Sequence, residues 1–129
     1  MWTRPTTACE GTQPVANSPI YSVGDVVLVP FPFTYQSGTK KRPAVVVSSE
    51  SYNANRRDIL IMAITSQVRM PLGFGEAMIG DWQIAGLIKS SVLKPVFTTI
   101  EQALVLRLMG KFAPNDAQGL RVLLAEVIA

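Results

Sequence analysis

Few side chains in this sequence are equipped for chemistry, and the choice narrows quickly. There is no histidine and a single cysteine. That excludes His–His ribonuclease sites, Ser–His–Asp hydrolases and Cys–His hydrolases. It excludes a structural zinc as well, because one thiol without imidazole cannot complete a tetrahedral N/S set. What remains is Arg, Lys, Ser, Thr, Tyr and the carboxylates. Arg42 comes first among them, in Lys40-Lys41-Arg42-Pro43, where a polar stretch meets an apolar one. A guanidinium fork donates two aligned hydrogen bonds to phosphate oxygens and stays charged. An arginine at the start of a strand is aimed by a rigid element. The plainer reading is a solvated charge at a strand edge.

Thr65 and Ser66 follow another apolar run, with Gln67 behind them. Hydroxyls both donate and accept, and these are held by the strand they end. Their plainer reading is a strand-end turn capped by its own hydroxyl. Lys40, Lys41, Arg56 and Arg57 fall in two polar stretches that also carry Phe33, Tyr35 and Tyr52. Cations beside aromatics suit single-stranded RNA, since phosphates meet charge and bases stack on rings. They equally suit a solvated loop with core aromatics. Lys89 and Lys94 flank Ser90-Ser91 near strand ends, and either extend such a groove or punctuate the surface.

The elements that must position these groups fit one domain. The chain has 129 residues, of which 48% are hydrophobic and 16% charged, so the bulk is foldable. The net charge of +3 leans only mildly toward anionic partners. No apolar run approaches the roughly 18 residues of a membrane helix. A single thiol suits a reducing cytoplasm. Residues 1–20 are rich in Thr, Pro, Gly and Ser and hold Cys9; they read as a flexible tail, and 21–129 as the domain.

Strands are expected at Val26–Val29, ended by Pro30 and Pro32, at Pro43–Ser48, and at Asp58–Ile64. Phe33–Lys41 and Ser49–Arg57 read as loops. Pro71–Gly80, with three glycines, reads as a curved or bulged strand. Ile84–Lys89 and Leu93–Ile100 read as further strands. Glu101–Met109 fits helix and strand about equally, and Gly110 should break it. From Pro114 the apolar residues Ala117, Leu120, Leu124 and Val127, with Leu123, fall on one helical face. Short strands closed by one helix indicate a mainly β protein, a small twisted barrel with a C-terminal helix.

Six pieces occur in order: Gly24-Asp25-Val26-Val27-Leu28-Val29-Pro30-Phe31, Lys41-Arg42-Pro43-Ala44-Val45-Val46-Val47-Ser48, Tyr52-Asn53, Ile64-Thr65-Ser66-Gln67, Ala85-Gly86-Leu87-Ile88-Lys89, and Lys94-Pro95. Together they resemble the MazF/PemK family of toxin endoribonucleases from type II toxin–antitoxin systems. The resemblance spans about residues 21–128.

It implies an SH3-like barrel of the MazF/CcdB type, usually a homodimer. It implies cleavage of single-stranded RNA without metal or cofactor: a ribose 2′-oxygen attacks the adjacent phosphate, leaving a cyclic phosphate and a 5′-hydroxyl. Arg42 matches the family's catalytic arginine, and Thr65 its catalytic hydroxyl. Lys40, Lys41, Ser66, Gln67, Arg56, Lys89 and Lys94 are the accompanying RNA-binding candidates. A cognate antitoxin would block the groove, and promoter DNA would be bound only by the toxin–antitoxin complex. The sequence departs from some members, with no carboxylate in 34–41, Ser91 where others carry Asp, and no histidine. The general base is therefore unassigned. The alternative is a non-catalytic barrel of the same shape that binds a protein partner. A gyrase-poison version of it is disfavoured, because the chain ends Glu126-Val127-Ile128-Ala129 without the Trp-Gly-Ile tail of that group.

Overall fold

The structure, a computed structural model, describes residues 20–31 and 40–128. The expected tail, apart from Ile20, lies outside them, as do Phe33, Tyr35 and most of the expected 33–41 loop. Six strands run in chain order: β1 (Asp25–Phe31), β2 (Lys40–Val46), β3 (Asp58–Thr65), β4 (Ala77–Met78), β5 (Val92–Glu101) and β6 (Arg107–Lys111). A short helix α1 (Glu50–Asn55) precedes β3, and α2 (Pro114–Ile128) closes the chain. The strands form one antiparallel sheet in the order β4-β5-β3-β2-β1-β6, curled into a half-barrel. The expected mainly β fold with its C-terminal helix is borne out.

Alternation along the strands builds two cores, one on each face of the sheet. Val26, Val45, Met62, Ile64 and Leu93 point to one face, where Leu120 and Leu123 of α2 and Phe112 cover them. Val27, Val29, Ala44, Val46, Ile59 and Ile61 point to the other. The valines and isoleucines among them are 0–3% exposed, and each such burial contributes roughly 1.5–3 kcal/mol. An uninterrupted run such as Ala44-Val45-Val46 is what a strand buried on both faces requires. On α2, Ala117, Leu124 and Val127 join Leu120 and Leu123 against the first core, as their spacing predicts. Asp116, in its first turn, ties the helix to the turn after β4 by accepting the N–H groups of Gly80 at 2.9 Å and Asp81 at 2.8 Å.

Several local expectations are corrected. Lys40 and Lys41 belong to β2, not to a loop. Pro30 does not end β1, which runs on to Phe31. Leu28 turns its carbonyl to Leu106, so the backbone of residue 30 also faces the β6 side, where β6 has already ended. The missing N–H of Pro30 thus forfeits no ladder bond. Ser49–Arg57 contains helix α1, capped by Ser49, whose side chain accepts the Tyr52 N–H at 3.1 Å. Pro71–Gly80 is a turn leading into the two-residue β4 rather than a bulged strand.

Ile84–Lys89 is no strand. It is a series of turns whose Gly86, at φ 85°, lies against Met109 and Gly110 so closely that a Cβ on Gly86 would collide with the Met109 carbonyl. Backbone contact of this kind demands glycine on both sides. Gly110 therefore sits inside β6 and does not break it. The ambiguous 101–109 segment resolves into a 3-10 turn at Gln102–Leu104 and the start of β6.

Candidate active site

The site follows from one proline. Val47, on the far side of β2, donates its N–H to the Leu60 carbonyl at 2.9 Å, so alternate residues 45 and 43 also turn their backbone toward β3. Pro43 has no N–H to give there. The recorded β2–β3 pairing runs from Val46↔Ile61 to Ala44↔Ala63 and goes no further. Two residues on, the same register aligns Arg42 with Thr65. Arg42 is held from its other side, opposite Val29 in the β1–β2 pairing, and Thr65 is held by Val92 of β5. Two strand ends are thus fixed by outer neighbours while the ladder between them is open.

The faces agree as well. Arg42 shares its face with Ala44 and Val46, and Thr65 shares its face with Ile61 and Ala63. Both side chains therefore stand at the rim of the second core, and both residues are half-buried. Apolar neighbours behind a charged fork keep the local dielectric low and strengthen any hydrogen bond it makes. Thr65 Oγ1 accepts the Gln67 N–H at 3.1 Å. That is the capped strand-end turn of the plainer sequence reading, and it leaves the hydroxyl proton free to donate. A guanidinium and a hydroxyl that can donate, carried on strand ends whose backbones are held from outside, are a pair suited to a phosphate group.

The other candidates divide. Ser66 and Gln67 are exposed directly after Thr65. Lys41 is exposed beside Arg42, opposite Pro30, and Lys40 precedes it opposite Phe31. Lys94 lies two residues beyond Val92, its Nζ 3.5 Å from Glu76 Oε2 and its side chain 43% exposed. The Glu76 carboxyl is held below its ordinary pKa, first by the Gly73 N–H it accepts and also by Lys94, against a smaller opposing effect of burial. Lys89 is exposed in the turn before β5, and its carbonyl accepts from the Ser91 hydroxyl at 3.0 Å.

Arg56 is not brought to the site. It ends α1 beside Asp58, at 3.3 Å, and over the Tyr52 ring, at 5.5 Å. That is the opposite end of β3, roughly 23 Å from Thr65 along the strand. Arg57 and Tyr52 lie there with it. The Tyr52 phenol is pushed up by partial burial, and further by the bond it donates to Asp58 at 3.1 Å.

Among the described residues there is no cluster of three or more His, Cys, Asp or Glu placed to hold a metal ion. The sequence reading passed over Glu76, Arg69 and Phe74. The signal available was Gly73-Phe74-Gly75-Glu76, an aromatic between glycines, which reads as a turn with an exposed ring.

Comparisons with known proteins bear on the family and the fold. The family model described as PemK-like, MazF-like toxin of type II toxin–antitoxin system matches residues 22–128. The chain is similar to a mycobacterial endoribonuclease solved in complex with its cognate antitoxin, with TM-score 0.68 and 15% identity over 84% of this chain and 94% of that one. It is similar to the Mycobacterium tuberculosis toxin MazF-mt6, with TM-score 0.61 and 20% identity over 81% and 91%. A MazE–MazF structure from Deinococcus radiodurans gives TM-score 0.64 and 18% identity over 85% and 97%. At these identities the structural likeness establishes the fold. No curated protein matches the chain.

Proposed function

The chain belongs to the PemK-like, MazF-like toxin family of type II toxin–antitoxin systems, and from that premise we propose that it is a metal-independent, sequence-selective endoribonuclease of single-stranded RNA. The observation that carries the proposal is the alignment of Arg42 with Thr65 across strand ends that Pro43 leaves unpaired. A ribose 2′-hydroxyl gives its proton to water and its oxygen attacks the adjacent phosphorus, the P–O5′ bond breaks, the 5′-oxygen takes up a proton from water, and the products are a cyclic phosphate and a 5′-hydroxyl. Negative charge grows on the non-bridging oxygens as phosphorus becomes five-coordinate. Arg42 meets that charge with two hydrogen bonds, and the Thr65 hydroxyl adds a third. Preorganised donors aimed at developing charge are the largest single contribution at many active sites. The cation a metal would otherwise supply is here the guanidinium, so no cofactor is required.

Lys40, Lys41, Ser66, Gln67, Lys89 and Lys94 line the approach and hold phosphates or base edges. Arg56 is left out of that track by its distance. The domain spans 21–129, with 1–20 an appended tail, and it works in the cytoplasm as a homodimer. A cognate antitoxin neutralises it, a reading supported by the similar mycobacterial endoribonuclease solved in complex with its cognate antitoxin, and promoter DNA is bound only by the pair.

The test is cleavage of a long single-stranded RNA in EDTA, wild type beside Arg42→Ala, with both new ends mapped. Cuts at a few short motifs, bearing cyclic phosphate and absent in the variant, are the expected result. Folded, antitoxin-free protein that makes no cuts would return the chain to the alternative, a non-catalytic barrel that binds a protein partner.

A further inference from the structure

An aromatic ring stands bare on a rigid turn beside this site, and the reaction as described does not use it. After Thr65 the chain runs through Ser66–Leu72 and turns at Gly73-Phe74-Gly75-Glu76. The turn is closed twice. Glu76 donates its N–H to the Gly73 carbonyl at 3.1 Å, and Gly73 donates its N–H to Glu76 Oε1 at 2.8 Å. Gly75, third in the turn, has φ 85°, the value a type II turn needs there.

The turn is also pinned to the body. Glu76 Oε2 meets Lys94. Gly75 lies against Pro95 and Val127 so closely that a Cβ on it would stand 3.1 Å from Pro95 Cβ. Yet Phe74, second in the turn, is 81% exposed. Apolar surface of Pro95 and Val127 is near, and the ring does not fold onto it. A fixed base carrying an unburied aromatic is a platform, not core packing.

Its surroundings point to what it meets. Met78, just past the turn, pairs with Val92, and Val92 pairs with Thr65, so the three lie in one row across the sheet. Two strand spacings, about 10 Å, separate the Met78 and Thr65 positions. Lys94 stands between the turn and that row. Arg69, exposed and without an ion pair among the described residues, lies on the segment joining Thr65 to the turn. Outward from Thr65 the surface therefore offers cations and then an exposed ring, the arrangement that holds single-stranded nucleic acid. The flanking charges favour an anionic occupant over an apolar protein segment.

We infer that Phe74 is a stacking platform for an unpaired base of single-stranded RNA near the cut, with Arg69 and Lys94 holding the phosphates between it and Thr65. This rests on the endoribonuclease reading of the same site. Such stacking is sequence-tolerant, so it positions the strand while the loops choose the motif.

The experiment compares wild type, Phe74→Ala and Phe74→Trp on a long mixed-sequence single-stranded RNA. Phe74→Ala should raise KM by roughly five- to a hundredfold, the loss of one stacked base, with kcat little changed. Phe74→Trp should keep the wild-type KM, and RNA should quench its fluorescence beyond the quench seen in wild type. The same tryptophan variant in an Arg42→Ala background, with uncut RNA, reads stacking apart from cleavage. If wild type cuts nothing, the endoribonuclease reading fails, and the quench still decides the platform. An unchanged KM in Phe74→Ala overturns the inference. So does RNA binding without added quench, and so does loss of antitoxin binding with RNA kinetics intact, which would give the ring to a protein.

Discussion

The two ends of β3 are built to opposite rules. At the Asp58 end the buried polar groups are bonded to one another. Asn53, buried in α1, donates its amide to the Tyr21 carbonyl at 2.7 Å and to the Ser48 carbonyl at 3.1 Å, and accepts the Ser48 hydroxyl. Gln102 reaches in from the 3-10 turn to the carbonyls of Asn53, Arg56 and Asp58. Tyr52 and Arg56 close on Asp58. At the Thr65 end the recorded ladder stops early, Arg42 and Thr65 stay half-buried, and Lys41 and Lys89 are exposed. Satisfied networks rigidify a fold. Unpaired donors on fixed strands are what a ligand can use. A cation's neighbours, more than its charge, therefore decide which arginine is left free to meet a ligand.

The contrast breaks most visibly at Arg42. Arg42→Ala should slow RNA cleavage by about 10²–10³-fold, the scale of losing a principal charge-stabilising donor, while the melting temperature stays near wild type. A variant that cuts normally would remove the site from this end of the strand. Asn53→Ala should do the reverse, costing about 1–3 kcal/mol in denaturant unfolding by stranding buried partners, with kcat of the folded fraction unchanged. Thr65→Val keeps the shape and removes the hydroxyl. Its kcat should fall about tenfold, the worth of roughly one hydrogen bond to a charged group, and an unchanged kcat would reduce Thr65 to its turn-capping bond.

Arg56→Ala is the smallest effect. It should change stability by at most about 1 kcal/mol, as for exposed ion pairs, and leave the salt dependence of RNA binding as in wild type. A shallower salt slope would mean that RNA reaches the closed end too. A pH series sharpens the pinned turn near the open end. Glu76 titrates below its ordinary value, so its contribution is present above that value and lost as pH falls through the lowered one. Glu76→Gln should flatten that acid-side loss in thermal melts.

The elements easiest to read were those with an unbroken or periodic apolar pattern. β1, β2 and β3 each contain an apolar run, and α2 repeats its apolar residues at helical spacing, so pattern and fold coincide. The places of Arg42 and Thr65 at strand ends were legible, since each stands beside such a run. Helix α1 was missed because it buries one polar side chain, Asn53, and shows no apolar period. Ile84–Lys89 was misread because two isoleucines and a leucine look like strand, whereas Ile84 and Ile88 are exposed and Gly86 is committed to backbone contact with β6. Arg56 was misplaced because nearness in sequence to an aromatic is not nearness to the site.

From its letters alone the chain determines which chemistries it can attempt, because the absence of histidine excludes imidazole catalysis and every Cys–His pair outright. It also determines its two-faced strands and its closing helix, because periodic burial is a local property. Only the tertiary structure decides which cations lie near one another. The β2–β3 register, carried two residues past its last recorded pair, brings Arg42, twenty-three residues before Thr65 in sequence, level with it, while Arg56 stays beside the far end of β3 and the Phe74 turn is set beside Lys94. Those are long-range relations between strands, and no local pattern encodes the partner across the sheet.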